Sequence, residues 1–255
     1  MRDRHRSPSR DDGPVWLYGK HAVLAALKNP RRDLLRLVLT ENAASWLGEA
    51  HKLPAGAEVL KPHQIDALLP GGAVHQGLAG RFSTLPRARL KDVFDPAVPQ
   101  PVVILDQVTD PQNIGAVIRV AAGFGAQGVI VQERRTPPLA GALAKAAAGT
   151  LETLPVVKVV NISRAIEALQ QMGFTAVGLA GEGAVPLPRL SAKAPLAMVM
   201  GAEGKGLREG VRSHCNLVVS IPLAPEVESL NVATAAAVAL YAIGPGQEIG
   251  SDAVS

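Results

Sequence analysis

Three polar clusters stand at the ends of apolar runs, and their side chains together could hold a polar ligand. Asn113 and Arg119 lie in DPQNIGAVIRVAAGFG, Glu203 lies in GAEGKGL beside Gly201 and Gly206, and Ser229 and Asn231 close IPLAPEVESLN. Amides, a hydroxyl and a guanidinium supply donors and acceptors, and glycines let backbone approach a bound group closely. The Gly201 to Leu207 stretch follows a strand pattern and opens a helix pattern, the setting of an anion cradle. It is not a triphosphate loop, because no Ser or Thr follows Lys205 to hold magnesium. With the Glu203 carboxylate beside it, a cationic or polar cofactor fits better.

Each of these residues also has a plain structural reading. Asn113, Ser229 and Asn231 could be helix caps, and Glu203 and Arg119 could be exposed. Arg119, however, has almost entirely apolar neighbours in AVIRVAAGFG and is expected to need a partner. With Asn113 as cap, Arg119 on the second turn can lean back toward the same ligand. A further stretch, GFGAQG (Gly123 to Gly128), matches the glycine spacing of a dinucleotide-binding turn. It follows a helix pattern and precedes a strand pattern, which reverses the order such a turn requires. A helix cap and a tight helix-to-strand turn are expected instead.

The elements that must position the clusters alternate from Val102 onward. Strands are predicted at Val102–Asp106, Gly128–Gln132, Val156–Val160, Thr175–Ala180, Leu196–Met200 and Leu217–Leu223. Helices are predicted at Ile114–Phe124, Leu139–Gly149, Ser163–Met172, Leu207–Ser213 and Leu230–Ile243. Short continuous apolar strands between helices predict an α/β domain with a parallel sheet covered on both faces, and ligands of such sheets gather at the strands' carboxyl ends. The last helix is apolar nearly all round and is expected to be buried on every side, in the core or at a subunit interface.

A smaller α/β unit precedes this domain. A lead-in is followed by a helix over Lys20–Lys28 that Asn29-Pro30 stops, then a strand over Leu34–Thr40, a helix in ENAASWLGEAHKL, a strand in AEVLK and a short helix in PHQIDALL. The boundaries read as a tail at 1–14, the small unit at 15–82, a linker at 83–100, the large domain at 101–246 and a tail at 247–255. Leu85, Leu90, Val93 and Phe94 could alternatively pack the linker along one domain.

Composition narrows the class. At 255 residues, 47% hydrophobic, 3% aromatic and 19% charged, the chain can bury cores built from Ala, Val and Leu. A net charge of +4 suits a polyanionic partner. MRDRHRSPSR has four Arg and no apolar centre, so a solvated basic tail is expected rather than a secretory signal. Cys215 is the single cysteine, which excludes an internal disulfide and a multi-cysteine zinc site and fits a reducing cytoplasm. No H-E-x-x-H pattern occurs, and no apolar run approaches the ~18 residues that span a bilayer, so neither a metal nor a membrane is expected.

Taken together, NIGAVIRVAAGFGAQGVI, MVMGAEGKGL and IPLAPEVESLNVATAAAVALY resemble the three signature motifs of the SpoU (TrmH-like) RNA ribose 2′-O-methyltransferases of the SPOUT superfamily. The likeness runs over roughly Val102 to Ile243, and YGKHAVLAAL and VHQGLAG resemble the two ends of that family's RNA-binding domain. This two-domain form is most similar to bacterial enzymes that methylate a guanosine of 23S ribosomal RNA. Pro225 stands where the family often has glycine, and Ala233 where serine is common.

The resemblance implies a trefoil-knotted catalytic domain, a cytoplasmic homodimer joined partly through the last helix, and S-adenosyl-L-methionine as cofactor. It implies that backbone around Gly201, Ile221 and Leu230 holds the cofactor, while Asn113, Arg119, Glu203, Ser229 and Asn231 line the reaction site. Glu203 would act on the sulfonium or fix Arg119. Trp16, Tyr18, Trp46 and Phe82, with Lys20, His21, His75, Arg87 and Arg89 near in sequence, are candidates for RNA contact, several of the aromatics being core. A transfer-RNA ribose methyltransferase and an inactive RNA-binding assembly factor are the alternatives.

Overall fold

The computed structural model describes residues 13–190, 195–204 and 206–243. The expected basic tail and C-terminal tail lie almost wholly outside them. The chain divides into two compact units, one made of residues up to 86 together with 138–152, the other of 87–137 and 153 onward.

The first unit opens with β1 (Val15–Tyr18), α1 (Lys20–Lys28), β2 (Leu34–Leu39), α2 (Glu41–Ala50), β3 (Glu58–Val59), α3 (Pro62–Asp66) and β4 (Leu78–Phe82). Thr40, expected to end the strand, instead caps α2 by accepting from Ala43 N. The sheet order is β1-β4-β2-β3, so a strand hidden behind HQG and an interior glycine stands next to the centre. Gln76 adopts a left-handed φ of 54°, and its Oε1 accepts from Lys20 N at 3.2 Å, which joins the two ends of the unit. His75 is buried: its Nδ1 accepts from Gly77 N at 3.0 Å, which leaves Nε2 to carry the proton toward Asp66 at 3.1 Å. Tyr18 and Phe82 are core residues.

The second unit contains α4 (Leu90–Val93), β5 (Val102–Asp106), α5 (Pro111–Gly123) and β6 (Gly128–Gln132). Next in the chain is α6 (Gly141–Ala146), followed by β7 (Val156–Val159), α7 (Ile162–Met172), β8 (Thr175–Leu179), β9 (Val185–Pro186), β10 (Leu196–Gly201), α8 (Glu209–Arg212), β11 (Leu217–Ser220) and α9 (Val232–Ile243). Its seven strands form one sheet in the order β7-β6-β5-β10-β8-β11-β9, every pairing parallel. The central strands are apolar throughout because both faces are covered, as expected.

Four expectations change. Residues 83–100 are not merely a linker: Phe94 is 3% exposed in the sheet's core cluster, with Leu90 and Val93 packed beside it. The helix expected at Leu139–Gly149 is shorter and packs on β1 in the first unit rather than in the large domain. A buried ion pair holds that segment, with Arg32 Nη2 2.8 Å from Glu152 Oε1 and Asn29 Nδ2 donating to Glu152 Oε2 at 2.7 Å. Finally, α9 is not buried on every side within one chain, so of its two expected settings the core alone does not account for it and the subunit interface stays open. Val232, Ala236, Ala239 and Leu240 are covered, and the helix packs on α5, but Val238 and Tyr241 remain exposed.

The fourth change concerns the start of α5. Its cap is Asp110, whose carboxylate accepts from Gln112 N at 3.4 Å and Asn113 N at 3.0 Å, with Pro111 in the first turn. Asn113 therefore lies inside the helix, its side chain released from capping. At the other end Gly125 takes φ 70°, and a Cβ on Gly128 would stand 2.8 Å from the Pro155 carbonyl. GFGAQG is thus the expected helix-to-strand turn.

Candidate active site

The three polar clusters meet at the carboxyl ends of β5 and β10. Asn231 Oδ1 accepts from Ala233 N at 2.9 Å and so caps the start of α9. That bond fixes which amide atom is the donor. Asn231 Nδ2 then donates to Asn113 Oδ1 at 2.8 Å and makes a longer contact to Glu203 Oε2 at 3.4 Å. One amide links all three clusters, and the Asn113 Nδ2 donors are left for a ligand. Asn231 is both a cap and a site residue, so the two readings of it are not exclusive.

Beside this triad lies a cavity of about 500 Å³, within the range of small-molecule sites. Gly201, Ile221 and Leu230, the expected cofactor residues, all line it, as do Glu203 and Ser229. Leu179, Met200 and Leu207 add apolar wall, and Glu182 and Glu228 add carboxylates. Backbone closeness explains Gly201: a Cβ there would overlap the Gly206 carbonyl and stand 2.5 Å from Leu207 N. A cavity with apolar walls, backbone edges and carboxylates suits a flexible, cationic, partly aromatic molecule. Ser229 is exposed and is not the cap of α9.

Arg119 departs from expectation. It is exposed on α5, and among the described residues it has no ion-pair partner; Glu203 turns to Asn231 instead. An Arg amid apolar neighbours is therefore left facing outward on α5, the helix on which α9 packs.

Two residues were missed by sequence reasoning. Asp106, the last residue of β5, is 0% exposed, and Arg208 Nε donates to its Oδ1 at 2.9 Å and its Oδ2 at 3.1 Å. The carboxylate holds the Arg208 pKa above its ordinary value. The signal was a lone acid ending the run VVILD, which demanded a buried counter-charge. Nearby Cys215 is pushed up to about 11, first by burial and then by the Asp106 charge.

The model of the SpoU rRNA methylase family matches residues 100–241. The chain belongs to the SpoU methylase family. A second family model, RNA 2′-O ribose methyltransferase substrate binding, matches residues 16–88. Among SpoU relatives, the 23S rRNA (guanosine-2′-O-)-methyltransferase RlmB of Pseudomonas putida is 35% identical over 236 residues, 88% of this chain and 94% of its own length. An uncharacterized tRNA/rRNA methyltransferase of Synechocystis is 38% identical over 236 residues, 89% of this chain; the match spans only 61% of that longer protein. The SpoU methyltransferase AviRb of Streptomyces viridochromogenes, crystallised with AdoMet, superimposes with TM-score 0.76 at 23% identity, covering 91% of this chain and 89% of AviRb. That likeness establishes the shared SpoU fold.

Proposed function

We propose that the chain transfers the methyl group of S-adenosyl-L-methionine to the ribose 2′-hydroxyl of a guanosine in 23S ribosomal RNA. The observation that carries this reading is the hydrogen-bonded set Asn113, Asn231 and Glu203 at the edge of the cavity lined by Gly201, Ile221 and Leu230. Family membership, with RlmB relatives matched over nearly their whole length, supports the substrate.

When bound, the cofactor supplies an electrophilic sulfonium methyl. The chain's own work is then positioning, and removal of a proton from the hydroxyl. Gly201, Ile221 and Leu230 would hold the cofactor by backbone edges that need no side-chain ordering. Glu203 would set a carboxylate against the cationic cofactor, and Asn113, Ser229 and Asn231 would orient the ribose. Arg119, whose guanidinium offers donors and no acceptor, binds the ribose and its phosphate, whose oxygens take the proton.

We read the chain as a homodimer. Val238 and Tyr241 are exposed apolar residues on α9, Arg119 is exposed on α5, and the two helices pack together, so a second copy seated on this helix pair would cover them and could give Arg119 a partner. The return of α9 to α5, after β11 has crossed to the far side of β8, supports the trefoil knot. In the first unit, Lys20 Nζ lies 4.7 Å from the Trp46 ring centroid, a cation and aromatic face suited to RNA. A ribosomal RNA substrate is consistent with a cytoplasmic protein.

The test is incubation of the purified protein with methyl-labelled cofactor and separate 23S ribosomal RNA and transfer-RNA transcripts, followed by nucleoside analysis. 2′-O-methylguanosine in the ribosomal RNA alone is expected. Label in transfer RNA, or binding without transfer, would refute the reading.

A further inference from the structure

The Asp106 and Arg208 pair has no part in the transfer chemistry, yet its two residues adjoin cavity-lining ones: Asp106 pairs with Gly201 across the sheet and Arg208 follows Leu207 in the chain. Asp106 ends the apolar strand β5 and is fully buried, so its carboxylate must be compensated within the protein. Arg208 compensates it from both its guanidinium and its main chain. Nε reaches both carboxylate oxygens, Nη2 reaches Oδ1, and the Arg208 backbone N donates to Oδ2 at 3.2 Å. A two-pronged pair with an added main-chain bond fixes orientation as well as distance.

Both partners sit at decisive places. Asp106 pairs in register with Gly201 across β5 and β10, and Arg208 follows directly on Gly206 and Leu207, whose backbone lies against Gly201. Gly206 N also donates to Ala202 O at 2.9 Å. The ion pair therefore determines where the Gly206 to Arg208 backbone rests. Leu207 has a second contact: it and Cys215 both pack over Gly178, a Cβ on which would stand 2.8 Å from Leu207 Cδ1 and 3.2 Å from Cys215 Sγ.

We propose that Asp106 and Arg208 are positioning residues of the methyl-transfer site: their ion pair seats the Gly206 to Arg208 backbone against Gly201 and so sets the shape of the cofactor wall. This rests on the reading that the cavity receives S-adenosyl-L-methionine. The lone thiol, Cys215, reports the seating without any cofactor, so the two ideas fail separately.

The test uses the full-length protein with Arg208→Gln and Arg208→Lys; the Arg208 side chain is 42% exposed, and a thermal melt checks that Arg208→Gln, which strips buried Asp106 of its counter-charge, is folded. Both leave the Asp106 carboxyl group in place, and labelling rates compared over a range of pH separate a change in thiol acidity from a change in exposure. Arg208→Gln is expected to raise the labelling rate of Cys215 by an aromatic disulfide reagent about tenfold under native conditions. It should raise KM for S-adenosyl-L-methionine about tenfold while leaving kcat at saturation within about threefold, the pattern of lost uniform binding. Arg208→Lys, which keeps the charge but loses the fork, should fall between. Labelling at rising sub-denaturing urea separates two routes to the thiol, because exposure by global unfolding follows the unfolding free energy of Arg208→Gln whereas local exposure does not. Asp106→Asn, measured by the same KM and kcat split, is the second variant. Unchanged labelling in Arg208→Gln, or a fall in kcat with KM unchanged in both variants, overturns the proposal. If wild-type protein binds no S-adenosyl-L-methionine while the labelling pattern holds, the cofactor assignment fails and the seating role stands.

Discussion

Replacing Gly201 by alanine tests whether backbone contact, rather than side-chain chemistry, shapes the cofactor wall. The new Cβ would overlap the carbonyl of Gly206 and stand 2.5 Å from Leu207 N, whereas real Cβ atoms stay at least 3.0 Å from such neighbours. Leu207 N must retreat by about 0.5 Å and the Gly206 carbonyl by more, on the order of 1 Å. Every obstacle is main chain, so no rotamer change relieves the overlap. Strand pairing to Asp106 holds one side, and the Asp106 and Arg208 bonds hold the other. The strain therefore passes into the segment that carries Glu203. Misplacing a positioned group by about 1 Å costs roughly 10²-fold in rate, equivalent to about 2.7 kcal/mol of transition-state stabilisation. The assay is labelled methyl transfer to a 23S ribosomal RNA fragment under kcat/KM conditions, with a thermal melt to show that the protein is folded. Gly210→Ala is the control, because a Cβ there meets nothing within 4 Å. A Gly201→Ala enzyme within about threefold of wild type would refute the steric reasoning.

Four further outcomes are expected. Arg119→Ala should abolish transfer while calorimetric cofactor affinity stays near wild type; unchanged turnover removes Arg119 from the mechanism. Arg32→Met strands the buried Glu152 carboxylate and should destabilise the first unit by about 3–5 kcal/mol in urea titration, with much of the loss recovered in Arg32→Met/Glu152→Met. Val238→Glu with Tyr241→Lys should convert a dimer to monomers in sedimentation, since both side chains are exposed on α9. Because the folded Cys215 thiol is raised to about 11 from 9.0, the unfolded chain loses that proton first. The stability it confers is therefore complete below about pH 9 and is lost as pH rises toward about 11, an effect that Cys215→Ala should remove from the pH dependence of urea midpoints.

The parallel sheet was legible because burial on both faces leaves continuous apolar runs such as VVILD and LAMVM, which need no partner to be recognised. The small unit was less legible. β4 is interrupted by Gly80 and Arg81, and β1 by a single turn from α1, so their apolar patterns are too short to stand out. The cap of α5 was misplaced because Asp110 and Asn113 are both capping types and only hydrogen bonding separates them.

Residue types, order and spacing by themselves determined that this chain is an α/β protein with polar clusters at strand ends, and which residues those clusters contain. Only the tertiary structure decided how they combine. Asn231 bonds Asn113 across 118 positions of sequence, Glu203 faces Asn231 rather than Arg119, and Asp106 finds its counter-charge 102 positions away in Arg208. Local sequence sets backbone preference and burial period, which act over a few residues. Pairing of buried polar groups depends on which strand ends the sheet order brings together, and that order is a property of the whole fold.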